Sequence, residues 1–181
     1  MTISRREALS GALALGLVAT RASADDLSNT VYLDTKDGRV IIRLRPDLAP
    51  KHVAQIKTLT SRGFYNGLKF HRVIPGFMAQ TGDPKGDGTG GSDLPDIPAE
   101  FSSTPFKRGT VGMARAESPD SANSQFFICF AEAPFLNGKY TVVGEVTSGM
   151  DVVDKIKKGS EDDNGAVTNP DKIVKMQMAA K

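Results

Sequence analysis

The chain is 181 residues long, 39% apolar and 24% charged, with a formal net charge of +2, and that mixture fits one globular domain with a proper core. Its 18 glycines and 10 prolines favour turns and strands over a helical bundle, and a single cysteine excludes an internal disulfide.

Residues 1–24 differ in kind from the rest. Arg5-Arg6 precede an apolar run over residues 8–19, and Ala22-Ser23-Ala24 offers small residues for cleavage before Asp25. An export signal is expected over 1–24, with the mature domain over 25–181 and a periplasmic location. Ser4-Arg5-Arg6 resembles the start of a twin-arginine signal, and Arg21 suits that route, although Ala8-Leu9 follow the motif loosely. An ordinary secretory signal with a chance arginine pair is the other reading. The run is too short for a membrane span, so no stable insertion is expected after cleavage. Removing the segment takes away Arg5, Arg6, Arg21 and Glu7, which leaves 20 basic and 20 acidic side chains. The mature chain is then close to neutral, and with no basic stripe nucleic acid is not an expected partner.

Val31-Tyr32-Leu33 and residues 40–44 flank Asp37-Gly38, a hairpin signal. Pro50 suits the first turn of a helix, Val53, Ile56 and Leu59 recur at helical spacing, and Gly63 supplies a stop. Residues 70–74 alternate as a strand, Pro75-Gly76 turn, and residues 77–81 return antiparallel. That hairpin brings Arg72 near Gln80 beside Phe77 and Met78, as a greasy peptide pocket with a cationic donor at its lip. Pattern alone also fits a core hairpin with a surface arginine.

A loop over 83–98 follows. Its Gly86, Gly88 and Gly91 match a dinucleotide fingerprint in form, but Pro95 and Pro98 forbid the helix that must follow, so the match is discarded. Strands are predicted over 109–114, 125–130 and 139–146, and regular short strands of this kind suggest a closed barrel or sandwich. Ser148 is predicted to cap a second helix carrying Asp151, Val152, Val153 and Ile156, with Gly159 past its end. Residues 161–170 read as a solvated loop and 173–178 as a closing strand. No repeat or domain linker interrupts the mature chain.

Little of the usual acid–base machinery is present. His52 and His71 are the only histidines, and Cys129 sits mid-strand among Phe127, Ile128 and Phe130, where a thiol nucleophile has poor access. The acidic residues of loops 83–98 and 161–165 lack calcium-loop spacing, so no metal is expected.

Residues 70–83, Gly88-Thr89-Gly90-Gly91, residues 124–128 and Leu136-Asn137-Gly138-Lys139-Tyr140 occur in an order that resembles the cyclophilin family of peptidyl-prolyl isomerases. The likeness runs from about Asn29 to Met178. It implies a mainly β fold, an eight-stranded closed antiparallel barrel capped by two α-helices, with the site on its outer face. It implies Arg72 as the catalytic arginine and Phe77, Met78, Phe127 and Leu136 as the lining of the proline-ring pocket. Gln80 and Gln125 match the polar site residues, with Gln80 grouped with Arg72 in the catalytic set. Gly88, Ala114, Arg115 and Ala116 match positions that meet the peptide. Phe135 stands where many members carry tryptophan, Tyr140 where many carry histidine and Arg115 where many carry asparagine, which bears on inhibitor binding and sequence preference. The loop between Met113 and Gln125 is also one residue longer than in many eukaryotic members.

The expected substrates are proline-containing polypeptides, handled by a monomer without cofactor. Rotating an Xaa-Pro bond makes and cuts no bond, and as the amide twists its nitrogen becomes a hydrogen-bond acceptor that a guanidinium can bind. A proline-peptide binding module or holdase without significant turnover is the alternative, although binding alone does not need a charged donor beside the ring.

Overall fold

The computed structural model describes residues 24–180. The predicted signal therefore lies outside the described residues except for Ala24, which opens a short helix, α1 (Ala24–Ser28). Eight strands follow: β1 (Thr30–Thr35), β2 (Gly38–Leu44), β3 (Arg72–Ile74), β4 (Met78–Thr81), β5 (Thr110–Met113), β6 (Phe126–Cys129), β7 (Val142–Ser148) and β8 (Lys175–Met178). They form one antiparallel sheet in the order β3-β4-β6-β5-β7-β2-β1-β8. Helix α2 (Pro50–Ser61) packs on β8, and α3 (Met150–Asp154) packs on β2.

Alternation sets the inner core. Val31 and Leu33 of β1 face Val40, Ile42 and Leu44 of β2, all buried, and α2 adds Val53, Ile56 and Leu59. Strands β5 and β6 are buried at every position, so they are covered on both faces. Val111, Met113, Phe126 and Ile128 point into the main core. Met78, Phe127, Cys129 and Val142 form a second cluster with Phe106, Ala133 and Leu136. That second layer is the floor on which the site is built.

The structure corrects several expectations. The ladder does not run on from β8 to β3; the two ends meet through the single bridge Lys69–Lys172, flanked by Phe70 N–H donating to Asp171 O (2.8 Å) and Ile173 N–H to Leu68 O (2.9 Å). The result is a curled sheet stitched at its seam rather than a barrel closed by a full ladder. Among the described residues only α2 is a helix of several turns, while α3 has five residues and Pro134–Leu136 is a 3-10 turn. Ser148 does not cap α3, because pairing of β7 with β2 continues to Ile41–Ser148. Gly149 takes the cap position at φ 92, where an added Cβ would lie 2.4 Å from Arg39 O, so glycine alone fits. Helix α2 has Pro50 in its first turn as predicted, but its free amides are met from afar: Glu100 accepts from Lys51 N–H (3.1 Å) and His52 N–H (3.0 Å).

Candidate active site

Arg72 and Gln80 are directly paired across β3 and β4. The turn between the strands has Phe77 N–H donating to Ile74 O (3.1 Å), with Pro75 second and Gly76 third at φ 68, the positive φ that a type II turn demands. Pairing of Gln80 with Phe127 of β6, and of Phe127 with Gly112 of β5, extends the register across the outer face.

A polar relay crosses this face. Arg72 Nη1 donates to Gln80 Oε1 (3.0 Å), Gln80 Nε2 to Gln125 Oε1 (2.8 Å), and Gln125 Nε2 to Gly88 O (3.0 Å) and Gly90 O (2.9 Å). The loop carrying those carbonyls is wound around Asp83, which is 1% exposed and accepts from the amides of Lys85, Asp87 and Gly88. Burial alone would raise the Asp83 pKa, yet these amides and that of Gly90 outweigh it and hold the carboxyl below its ordinary range. Gly90 passes so close to Asp83 that a Cβ there would lie 2.1 Å from Oδ1.

The cleft beside Arg72 measures about 960 Å³ and brings together Arg72, Phe77, Met78, Gln80, Gly88, Ala114, Arg115, Phe127, Phe135, Leu136 and Tyr140. Ala116 and Gln125 lie in an adjoining pocket of about 280 Å³ that shares Gln80, Gly88, Ala114 and Arg115. Every residue that the sequence singled out for the site thus borders one or both of two adjoining pockets. Its floor is apolar, with Met78, Phe127 and Leu136 each at most 5% exposed. Phe77 leans on Phe135 at 5.1 Å between centroids, and Tyr140 meets Phe127 edge-on at 6.2 Å. Phe135 itself is 59% exposed, a lip rather than a floor. The Arg115 guanidinium lies 4.5 Å over the Tyr140 ring, held by the carbonyls of Ala116, Glu117 and Lys139.

Three features escaped sequence reasoning. Asn164, read as part of a solvated loop, takes two hydrogen bonds from Arg72, Nε to its O (3.0 Å) and Nη2 to its Oδ1 (2.8 Å). Asn164-Gly165 signals a left-handed turn, but nothing in the sequence ties it to Arg72. Phe106 stacks under Phe127 at 5.8 Å, and Asp83 organises the glycine loop. No carboxylate lies within ion-pair distance of Arg72 among the described residues. Burial shifts its pKa down from the ordinary arginine value, but a guanidinium remains cationic. Burial likewise lowers the His71 pKa against the pull of Asp83, which favours the neutral ring. Cys129 is fully buried with its pKa pushed up to about 12, so its thiol is no nucleophile near neutral pH.

Comparison with known proteins identifies the family. Residues 30–178 match the family model described as cyclophilin type peptidyl-prolyl cis-trans isomerase/CLD. A protein of Brucella suis biovar 1, named "Probable peptidyl-prolyl cis-trans isomerase", is 66% identical over 93% of this chain and 91% of its own length. A peptidyl-prolyl cis-trans isomerase of Helicobacter pylori is 45% identical over 75% of this chain and 85% of its own. Cyclophilin AquaCyp293 of Hirschia baltica superposes with a TM-score of 0.76 at 30% identity, covering 84% of this chain and 74% of that one. An arginine set over an apolar floor in a fold of this kind leads to one conclusion: the chain belongs to the cyclophilin-type peptidyl-prolyl cis-trans isomerases and is an enzyme of that activity.

Proposed function

We propose that the protein accelerates rotation about Xaa-Pro bonds in polypeptides folding after export, with Arg72 binding the twisted amide over the pocket of Phe77, Met78, Phe127 and Leu136. The observation that carries this reading is the state of Arg72: a guanidinium with no carboxylate partner among the described residues, oriented by neutral acceptors at the lip of an apolar floor.

The energetics are modest. Amide rotation faces a barrier of roughly 18–20 kcal/mol and takes about 10–100 s uncatalysed. Reaching a turnover of about 10 per second requires two to three decades, or about 3–4 kcal/mol. A hydrogen bond from a charged donor to the pyramidal prolyl nitrogen contributes roughly 1.5–3 kcal/mol, and orientation in the pocket supplies the remainder. The planar amide nitrogen is a poor acceptor, so the bond strengthens only as the peptide twists, which is the condition for catalysis.

The decisive experiment is a protease-coupled isomerase assay of Arg72→Ala and Arg72→Lys. Alanine should lower turnover by about two decades with the fold intact, and lysine should rescue poorly because a point charge lacks the planar fork. Near-normal rates in Arg72→Ala would refute the mechanism. Export rests on Arg5-Arg6, the apolar run and Ala22-Ser23-Ala24. It is tested by fractionating cells and sequencing the mature amino terminus, expected near Asp25; a mature protein keeping residues 1–24 would end that reading.

A further inference from the structure

We infer that Asn164 is a positioning residue for Arg72: it clamps one side of the guanidinium with two neutral oxygens, so that the free N–H groups face the cleft with their charge undiminished. The inference rests on the reading of Arg72 as the catalytic group.

Arginine carries five N–H donors in a fixed plane. Nε and Nη2 both go to Asn164, to its backbone and side-chain oxygens, and one N–H of Nη1 goes to Gln80. Three donors are thereby spent on holding the group and two remain for a ligand. Gripped at two sides, the guanidinium cannot swing about its long aliphatic stem, and little rotamer freedom is left to lose when the twisted amide forms.

The clamp is itself well founded. Asn164 sits at φ 50, in the left-handed region that asparagine tolerates better than other side chains with a Cβ. Gly165 continues at φ 81 and donates from its amide to Ser160 O (2.7 Å). The turn is laced to β3 on both sides of Arg72, by Gly159 N–H to Val73 O (2.8 Å), Val73 N–H to Gly165 O (2.8 Å) and Val167 N–H to His71 O (3.1 Å). The same strand thus fixes both the arginine and the residue that holds it.

The choice of an amide has a chemical reason. A carboxylate at position 164 would orient the fork equally well but set a full negative charge against the positive one that the twisted amide needs. Asparagine offers the acceptor without the charge.

The test is Asn164→Gly, which keeps the left-handed backbone and its carbonyl but removes Oδ1, measured alone and on an Arg72→Lys background. Turnover of a tetrapeptide nitroanilide with one Xaa-Pro bond should fall about tenfold in the first case, short of the roughly hundredfold that a 1 Å misplacement can cost. Binding of the same peptide and the melting temperature should hardly change. On the Arg72→Lys background, where no fork remains to be clamped, the second substitution should cost less than about twofold, the non-additivity expected of residues acting as one unit. The Arg72 Nη2–H resonances, which lose the Oδ1 acceptor, should also exchange with water faster in Asn164→Gly than in wild type. Wild-type turnover in Asn164→Gly, an equal fractional loss on both backgrounds, or unchanged Nη2–H exchange would each overturn the clamp. Wild-type turnover in Arg72→Ala would instead remove the catalytic reading beneath it, so the two failures are distinguishable.

Discussion

Replacing Gly112 by alanine should damage catalysis from beneath the site. Gly112 lies on β5 opposite Phe127, and a Cβ built on it would stand 2.6 Å from Phe106 Cε1 and 2.6 Å from Phe127 Cζ. Carbon atoms pack at about 3.5–4.0 Å, so the overlap is roughly 1 Å. Neither ring has room to yield: they stack on each other at 5.8 Å, and they are 1% and 4% exposed. The open side for Phe127 is the cleft that it floors. Overpacking of this kind costs about 1–3 kcal/mol, and in a domain of this size each kcal/mol lowers the melting temperature by about 2–4 °C. A floor displaced by roughly 1 Å can lower kcat/KM by up to about a hundredfold. Scanning calorimetry and the coupled isomerase assay read the two effects separately, and Phe106→Leu added to Gly112→Ala should restore both by making room below. Wild-type turnover and melting temperature in Gly112→Ala would refute the packing argument.

Two further outcomes follow from the lip and the loop. Phe135→Trp should tighten inhibition by cyclosporin by about one to two decades, because an indole N–H satisfies a ligand carbonyl that phenylalanine leaves unpaired, while turnover changes little; equal inhibition constants would end the idea. The folded-state pKa of Asp83 lies below its unfolded value, so its contribution to stability is complete above the unfolded value of about 3.9 and is lost as pH falls through the folded one. Asp83→Asn should therefore cost about 1–3 kcal/mol at neutral pH and flatten the acid limb of a denaturation profile; identical limbs in the two proteins would contradict it.

What could be read from the sequence was whatever depends on near neighbours. The β1–β2 hairpin follows from Asp37-Gly38 between alternating apolar runs, and α2 from Pro50 with Val53, Ile56 and Leu59. The approach of Arg72 to Gln80 follows from alternation on either side of Pro75-Gly76, and the pair indeed stand opposite each other. Contacts across long stretches of chain were beyond it. Asn164 reaches Arg72 over 92 residues, and Glu100 caps α2 from 49 residues away, and neither pairing leaves a local trace. Ser148 misled because cap preferences favour a hydroxyl, whereas the continuing β2–β7 ladder carries the serine past the point where it could cap. The family likeness named candidate site residues, but it could not supply the clash at Gly112 or the seam at Lys69.

The lacing of residues 159–167 along β3 has a consequence for how the enzyme meets unfolded chains. An isomerase spends its working life among extended polypeptides, which add readily to any exposed row of backbone amides and carbonyls. On β3, Val73 has both its amide and its carbonyl occupied by residues 159 and 165, and the His71 carbonyl is taken by Val167. At the other end of the sheet, the Met176 amide of β8 donates to Asn66 Oδ1 (2.8 Å). Both margins are thus blunted, and a client gains little by pairing as an extra strand. On the proposed reading it is left the side-chain cleft beside Arg72, where a proline ring, not an added strand, makes the contact.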